Sequence, residues 1–548
     1  MRVLRRAAAV GILAIAVVLT ACAPALPPSV LPDSSVTVGW TGTVTSFNAA
    51  AEPTSGNRDI AAVTRAAFGT VVDGEVVVDE SFGTVTIEDE DPFTVRYDLR
   101  EPSWSDGIPL DAADLVLGWA AATGLLAEDG PSEAVASAEP PKVDEFARAI
   151  DVTFPAPTIS WQTAVAASVP AHVVGRRAFD LDDPMEAKQA VIRAVLDGDA
   201  TALASIRDVW RTAFAVPAEG SPADDLTLSS GPYVVAEVAD EGTNVTLAPN
   251  PEYQGATPPQ IGDIALVPPG DDPVAAVGEA VDIVSFTPSP SNREAVRERE
   301  RRDFAVQTTH DGTIWTVLLS TDGVFAERPA RAAFLRTVPA DDMVAAGAGE
   351  WAQAYPKTTS MVTAPGSRAF DIATEDSGFT AALGTPADDP AVDRAAAGVR
   401  DGARVCVLYD RASGFAKGAL GALKAAAAEA GWNVVDCGTD DLDAAVDQPG
   451  WDAVIRRVRV PETPGEIARQ WGTKGSASLV GQADPTRDEL IATLQQTTDV
   501  YAARDLLADI EATIVSAAVA RPLAAVPRVT IVAPDVTGGS VREGDDAP

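Results

Sequence analysis

Histidine is almost missing from this 548-residue chain, which holds only His172 and His310, far apart and without a cysteine beside either. A zinc centre or a His-based acyl-transfer triad is poorly served by that supply. Cysteine is nearly as scarce, at Cys22, Cys406 and Cys437, and no CxxC occurs, so neither a zinc ribbon nor a thioredoxin-type redox pair is on offer. G-x-S-x-G and HExxH motifs are absent as well. Positive charge is in short supply, with 41 Lys and Arg against 80 Asp and Glu and a formal net charge of −39. A chain so acidic is repelled by phosphates, which argues against nucleic acid as a partner. What is plentiful is apolar material: hydrophobic residues make up 46%, enough for a large core and too much for wholesale disorder. The length calls for two or more domains.

The N-terminus reads as an address. Arg2, Arg5 and Arg6 precede a short apolar run, Ala7–Leu19, that falls short of the roughly 20 apolar residues a membrane span needs. Leu19-Thr20-Ala21-Cys22 then resembles a bacterial lipobox, in which Cys22 is lipidated and becomes the first mature residue. An ordinary signal with an incidental cysteine is the alternative. Residues 1–21 are thus expected as a signal peptide, and residues 22–35, rich in Pro and Ser, as a lipid-anchored linker. Loss of the leader removes three arginines and no acid, taking the formal charge from −39 to −42. The expected location is the cell membrane, on its extracytoplasmic face.

Export bears on the other two cysteines. Arg404–Tyr409 and Asn433–Cys437 are apolar, strand-like runs separated by the Ala-rich helical stretch Ala412–Gly431, a β-α-β pattern with parallel neighbouring strands. Outside the cytosol Cys406 and Cys437 could form a disulfide; two buried thiols are the other reading. Elsewhere, Val71–Val78 and Thr84–Ile87 read as a strand pair turning at Asp73-Gly74, Phe93–Leu99 as a half-buried strand, and Asp111–Ala122 as a helix with a capping-box acid at Asp114. Ile159–Val169 reads as helix, Tyr233–Val238 and Asn244–Ala248 as a strand pair, Thr313–Ser320 and Ala453–Val460 as strands, and Val500–Ala520 as a long helix. Ser291–Arg302, with arginines among glutamates, reads as a solvated helix face. Strands and helices mixed in this way predict a two-lobed α/β protein.

Residues 97–119, YDLREPSWSDGIPLDAADLVLGW, resemble the signature stretch of the family 5 extracellular solute-binding proteins, the oligopeptide and dipeptide receptors of ABC importers. The match lies in Leu99, Arg100, Trp104, Ser105, Asp106, Gly107, Pro109, Leu110, Ala113 and Asp114. Further similarities follow in order: Pro170 and His172; Gly231-Pro232-Tyr233; Asn250-Pro251 with Tyr253; Gly278-Glu279 and Asp282-Ile283; Arg331-Ala332-Ala333; Pro522-Leu523. Together with the lipobox they cover nearly the whole mature chain. Two places depart from the family pattern. Leu318-Leu319-Ser320 stands where an Asn is frequent, and Trp451–Thr463 replaces a Trp/Gly/Asp/Pro-rich cleft segment, so the usual acidic anchor for a peptide amino group is not visible.

The resemblance implies a periplasmic-binding-protein fold (type II, cluster C) with a subdomain inserted in lobe I. Its expected layout is lobe I at 36–75, 190–283 and 512–540, the inserted subdomain at 76–189, lobe II at 284–511, and a disordered tail at 541–548. It implies a lipid-anchored substrate-binding protein that closes over a peptide or other small polar ligand and delivers it to ABC permease subunits, as a monomer, with no catalysis, cofactor or metal. A sensor of the same fold, or an exported hydrolase, are the rival readings. Trp40, which ends the first strand before a Gly/Thr loop where the family places ligand contacts, is a candidate cleft residue. So are Trp315 in the second-lobe strand and Arg457 and Arg459, either of which could meet a carboxylate or phosphate. His172 and His310 are expected to be structural or exposed, and Trp104 and Asp106 to belong to a structural turn.

Overall fold

The computed structural model describes residues 26–126, 139–144, 148–218 and 220–536. Its frame is a ten-stranded mixed sheet. Across the sheet the strands run Trp432–Asp436, Ala403–Tyr409, Ala453–Arg459, Ala305–Leu319, Ala520–Val532, Ile283–Phe286, Ser35–Gly39, Asp263–Val267, Asn244–Pro249 and Tyr233–Ala239. The β-α-β unit forms as expected: Ala403–Tyr409 and Trp432–Asp436 are parallel neighbours, with Val405 opposite Val434. The helix Gly414–Glu429 crosses between them, its N-terminus capped by the Ser413 hydroxyl, which accepts from the Ala416 amide. A disulfide joins Cys406 to Cys437, their Cα atoms 5.6 Å apart.

The apolar side chains separate into three clusters, which define two lobes. The first holds Val36, Val38 and Trp40 from the first strand together with Phe93, Val95, Tyr97 and Trp104 from further along the chain. The other two lie on opposite faces of the remaining strands: Trp315, Val317 and Phe415 on one face, Ile314, Leu318 and Ile510 on the other. This is the alternation a strand buried on both faces must show.

Two long strands, Ala305–Leu319 and Ala520–Val532, run antiparallel through both lobes. Their register holds from Ala305 opposite Val532 to His310 opposite Pro527, then shifts, resuming with Ile314 opposite Ala525. Gly312 sits in the gap with φ of +75°, a conformation that side chains with a Cβ rarely adopt.

A four-stranded antiparallel sheet (Gly83–Glu90, Phe93–Leu99, Ala149–Thr153, Lys142–Asp144) packs in the first lobe with the helix Ala112–Ala122. The Trp-Ser-Asp-Gly turn before that helix is structural. Trp104 is fully buried and its Nε1 donates to Asp114 Oδ1 at 3.1 Å, while His172 Nε2 lies 3.0 Å from Asp106. Asp111 and Asp114 form the expected capping box. Lys188 reaches in to both, at 3.0 and 3.2 Å. Burial opposes its charge, but the two carboxylates more than offset this and hold the ammonium above the usual lysine range.

Several expectations give way. Val71–Val78 does not pair with Thr84–Ile87. It folds on itself into a two-stranded hairpin, Gly69–Val72 with Glu75–Val78, and Gly83–Glu90 pairs with Phe93–Leu99 instead. Ile159–Val169 makes only a short turn, Ile159–Gln162, whose N-terminus is capped by the Thr158 hydroxyl accepting from the Ser160 amide and which ends at Thr163. The expected linker is docked from Ser29 onward: Ser29 Oγ donates to Pro259 O at 2.7 Å, the Leu31 amide donates to Gln260 O at 2.9 Å, and Val30 is buried. At the C-terminus of the helix Arg293–Glu300, Arg301 pairs with Glu294 and Glu298 as a solvated face should. Arg299, however, turns inward to the carbonyls of Val274 and Ala275. Residues 1–25 and 537–548, with Cys22 and the acidic tail, lie outside the described residues.

Candidate functional site: a cleft between the lobes

A cavity of about 540 Å³ lies where the first lobe faces the second, within the range typical of small-ligand sites. The first lobe supplies Ala61 and Ala62 from the helix Ser55–Thr64, the hairpin, and the turn Ile159–Gln162. The second supplies His310 and Gly312 from the register shift, Val362–Ala364, Val460–Pro464, and Ala503, Arg504 and Leu507 from the helix Val500–Ala517. Most of these side chains are hydrocarbon.

The hairpin is shaped by its sequence. Asp73-Gly74 joins two valine-rich runs, and both residues have positive φ, +51° and +81°. That is the two-residue loop whose twist matches the flanking strands, and Asp-Gly is its favoured pair. The turn projects the hairpin across the cleft mouth. Glu75 Oε1 lies 2.7 Å from Arg504 Nη2, and Asp73 Oδ1 lies 3.7 Å from His310 Nε2. A Cβ added to Gly74 would sit 3.7 Å from the Glu462 carbonyl oxygen. The hairpin therefore ties the two lobes together across the cavity.

Two charged groups stand behind the walls. Arg65, just past the helix Ser55–Thr64, lines the cavity and is largely buried. Its Nε donates to Ser168 O at 2.6 Å, Nη1 to Thr64 O and Leu228 O at 2.9 and 3.0 Å, and Nη2 to Phe47 O at 3.1 Å. Burial brings its pKa down to about 10, so it stays a cation at neutral pH. On the other side Glu511 is buried beneath the Ser360–Thr363 loop. Its Oε2 accepts from Ser360 Oγ at 2.6 Å and from the amides of Met361 and Val362 at 2.8 and 3.2 Å. Burial pushes its carboxyl up to about 7, the bonds from Ser360, Met361 and Val362 and the nearby Arg487 limiting the rise. Among the described residues its Oε1 has no hydrogen-bond partner.

None of the four candidate ligand residues lines this cavity. Trp40 shares the core-facing side of its strand with Val36 and Val38, and its indole Nε1 donates to Asp59 at 2.7 Å. Trp315 stacks on Phe415 inside the second lobe, ring centroids 4.3 Å apart. Arg457 is engaged by Asp311 and by Thr313 Oγ1. Arg459 lies 3.3 Å from Glu462, next to the lining residue Val460 but not itself on the wall. The correction also runs the other way. His310, expected to be structural or exposed, is a cleft residue. Arg65, Glu75 and Arg504 were not singled out by the sequence, although the Asp-Gly between valine runs was a readable signal for the hairpin that carries Glu75. Among the described residues no group of three or more His, Cys, Asp or Glu is placed to hold a metal ion, and no helix is long and apolar enough to cross a membrane.

Comparison with known proteins agrees with this fold. Residues 84–434 match the family described as bacterial extracellular solute-binding proteins, family 5 Middle. An uncharacterized lipoprotein of Mycobacterium tuberculosis is 27% identical over 394 residues, covering 70% of this chain. One of Mycobacterium leprae is 28% identical over 290 residues, covering 50% of this chain and 48% of its own length. The chain spans only 65% of the length of the Mycobacterium tuberculosis relative. Among solved structures, a periplasmic EDTA-binding protein superposes with a TM-score of 0.74 at 18% identity, covering 94% of each chain. NikA of Brucella suis, in complex with Fe(III)-EDTA, gives 0.66 at 17%, covering 94% of this chain and 97% of its own. The oligopeptide-binding protein AppA of Bacillus subtilis, in complex with a nonapeptide, gives 0.63 at 13%, covering 93% and 97%. At these identities the likeness establishes the two-lobed binding-protein fold.

Proposed function

This chain belongs to the bacterial extracellular solute-binding proteins of family 5, and on that premise we propose that it captures a small solute in the interlobe cavity and hands it to the membrane permease of an ABC importer. The observation that carries the reading is the cavity itself: a 540 Å³ space walled by both lobes, beside the register shift in the two strands that connect them. The hinge of this reading lies at that shift, at 310–314 and 525–527, where ladder bonds are missing and Gly312 and Pro527 loosen the strands. Closing removes apolar wall and solute from water together, so a solute stabilises the closed form by its difference in affinity for the two forms. Glu75–Arg504 and Asp73–His310 complete the closed form as a clasp from one lobe to the other.

Capture needs no bond made or broken. The lipid on Cys22 keeps the receptor near its permease, raising the local concentration for docking. The test is native mass spectrometry of the protein purified from its host. An unmodified small molecule, released when the protein is unfolded, supports capture; steady conversion of that molecule into products on incubation refutes it. Replacing Cys22 by Ala should release the protein from the membrane fraction, and continued tight membrane association would overturn the anchor.

A further inference from the structure

The charge inventory of the cleft narrows the solute, given the reading that this cavity is the capture site. The body of the ligand is set by hydrocarbon walls: Val71, Val72 and Ile159 on one side, Val460, Ile467 and Leu507 on the other. Such a lining favours an apolar body, because the gain comes from removing apolar surface from water. The head is set by what the charged wall residues already hold. Asp73 faces His310, Glu75 faces Arg504, Glu462 lies against Arg459, and the Asp499 carboxylate caps the helix Val500–Ala517 by accepting from the Ala502 amide. Glu75 and Glu462 are thus paired with arginines and the Asp499 carboxylate is taken up by its helix cap. Among the described residues Asp73, 3.7 Å from His310 Nε2 and not hydrogen-bonded to it, is the one wall acid a peptide ammonium entering the cleft would meet without a partner.

Arg65 is the opposite case. Its hydrogen-bond partners are four backbone carbonyls, its guanidinium also lies over the Trp104 ring, 5.8 Å from the centroid, and among the described residues no carboxylate pairs with it. Carbonyl dipoles fix the guanidinium in place but leave its unit charge unneutralised, and a largely buried cation without a counter-ion is unfavourable. Its geometry is rigid, so a ligand anion would meet it with little further ordering. We propose that the cleft takes an amphipathic acid, an aliphatic or aromatic body bearing one carboxylate, with the carboxylate directed to Arg65 and the body along the hydrocarbon walls.

The test uses the full chain, secreted with Cys22→Ser, and calorimetric titration with three probes sharing one tail (decanoate, 1-decanol and decylamine) alongside trialanine. Decanoate should bind more tightly than the alcohol and the amine by about tenfold or more, a charge-assisted hydrogen bond being worth at least the roughly 1.4 kcal/mol that tenfold represents. Trialanine should bind more weakly than decanoate. Arg65→Met would also strip four carbonyls of their donor and could unfold the lobe, so a second variant carries the localisation. Ala62→Glu places a carboxylate on the same wall, on an exposed helical position three residues before Arg65. It should lower the ratio of decanoate to decanol affinity about tenfold without shifting the melting temperature. A decanoate affinity no greater than that of decylamine or decanol, a tighter fit of trialanine, or a ratio unchanged in Ala62→Glu would each overturn the proposal. If a non-acidic solute is nevertheless retained in native mass spectrometry, capture stands and only the amphipathic acid falls. If neither the probes nor any host solute binds, capture falls with it.

Discussion

Glu511 offers a sharp prediction because its carboxyl is buried, bonded through one oxygen and placed behind a cleft wall. Its pKa is about 7 in the folded protein against an ordinary 4.5. An acid whose folded pKa is raised binds its proton more tightly folded than unfolded. Stability is then fully present below pH 4.5, falls as pH rises from 4.5 to about 7, and is flat above. The distance from 4.5 to about 7 corresponds to about 3 kcal/mol. Glu511→Gln keeps an acceptor oxygen for Ser360, Met361 and Val362 but carries no charge at any pH. The difference in unfolding free energy, wild type minus variant, should therefore become about 3 kcal/mol less favourable to wild type between pH 4.5 and 8. Urea denaturation of both proteins across that range, followed by tryptophan fluorescence, reads the difference directly, and taking the difference cancels the other titrating groups. A difference that stays constant across the range would refute the buried, proton-linked carboxyl.

Three further outcomes are expected. Lys188→Met leaves Asp114 buried without its counter-charge and should cost about 3 to 5 kcal/mol in chemical denaturation; a loss under about 1 kcal/mol would contradict the buried triad. Cys437→Ser opens a disulfide closing a separation of 31 residues and should lower stability by about 3 kcal/mol, with wild type matching the variant after reduction. Glu75→Gln combined with Arg504→Met removes the clasp between the lobes and should weaken solute binding about fivefold, near 1 kcal/mol, with little change in the melting temperature of the unliganded protein. Equal affinity in wild type and the double variant would remove the hairpin from the closing step.

Local patterns made much of the fold legible. The β-α-β unit around Gly414–Glu429, the capping box at Asp111 and the strand pair Tyr233–Ala239 with Asn244–Pro249 are built from neighbours in sequence, and periodicity and turn chemistry report them. The hairpin at Asp73-Gly74 was half readable: the turn was visible, but which strands it joined depended on a register no local pattern states. The strand Ala305–Leu319 begins earlier than its apolar half suggests, because Gln307, Thr308, Thr309 and His310 are polar, and His310 lines the cleft. The site itself was least legible. Its walls come from segments separated by hundreds of residues, and the conspicuous aromatics and arginines of the cleft-flanking strands turn out to serve packing and ion pairs. Trp40 could have been read as core from its alternation with Val36 and Val38. Arg65 could not, since nothing in the sequence shows that its partners are carbonyls rather than acids.

The central claim, that two lobes shut on a solute, is tested most directly by small-angle scattering on the mature chain, first carrying its host-derived solute and then after that solute has been removed. The account predicts a larger radius of gyration for the emptied protein and a return to the compact curve when the same solute is restored. Identical curves in all three states would contradict it.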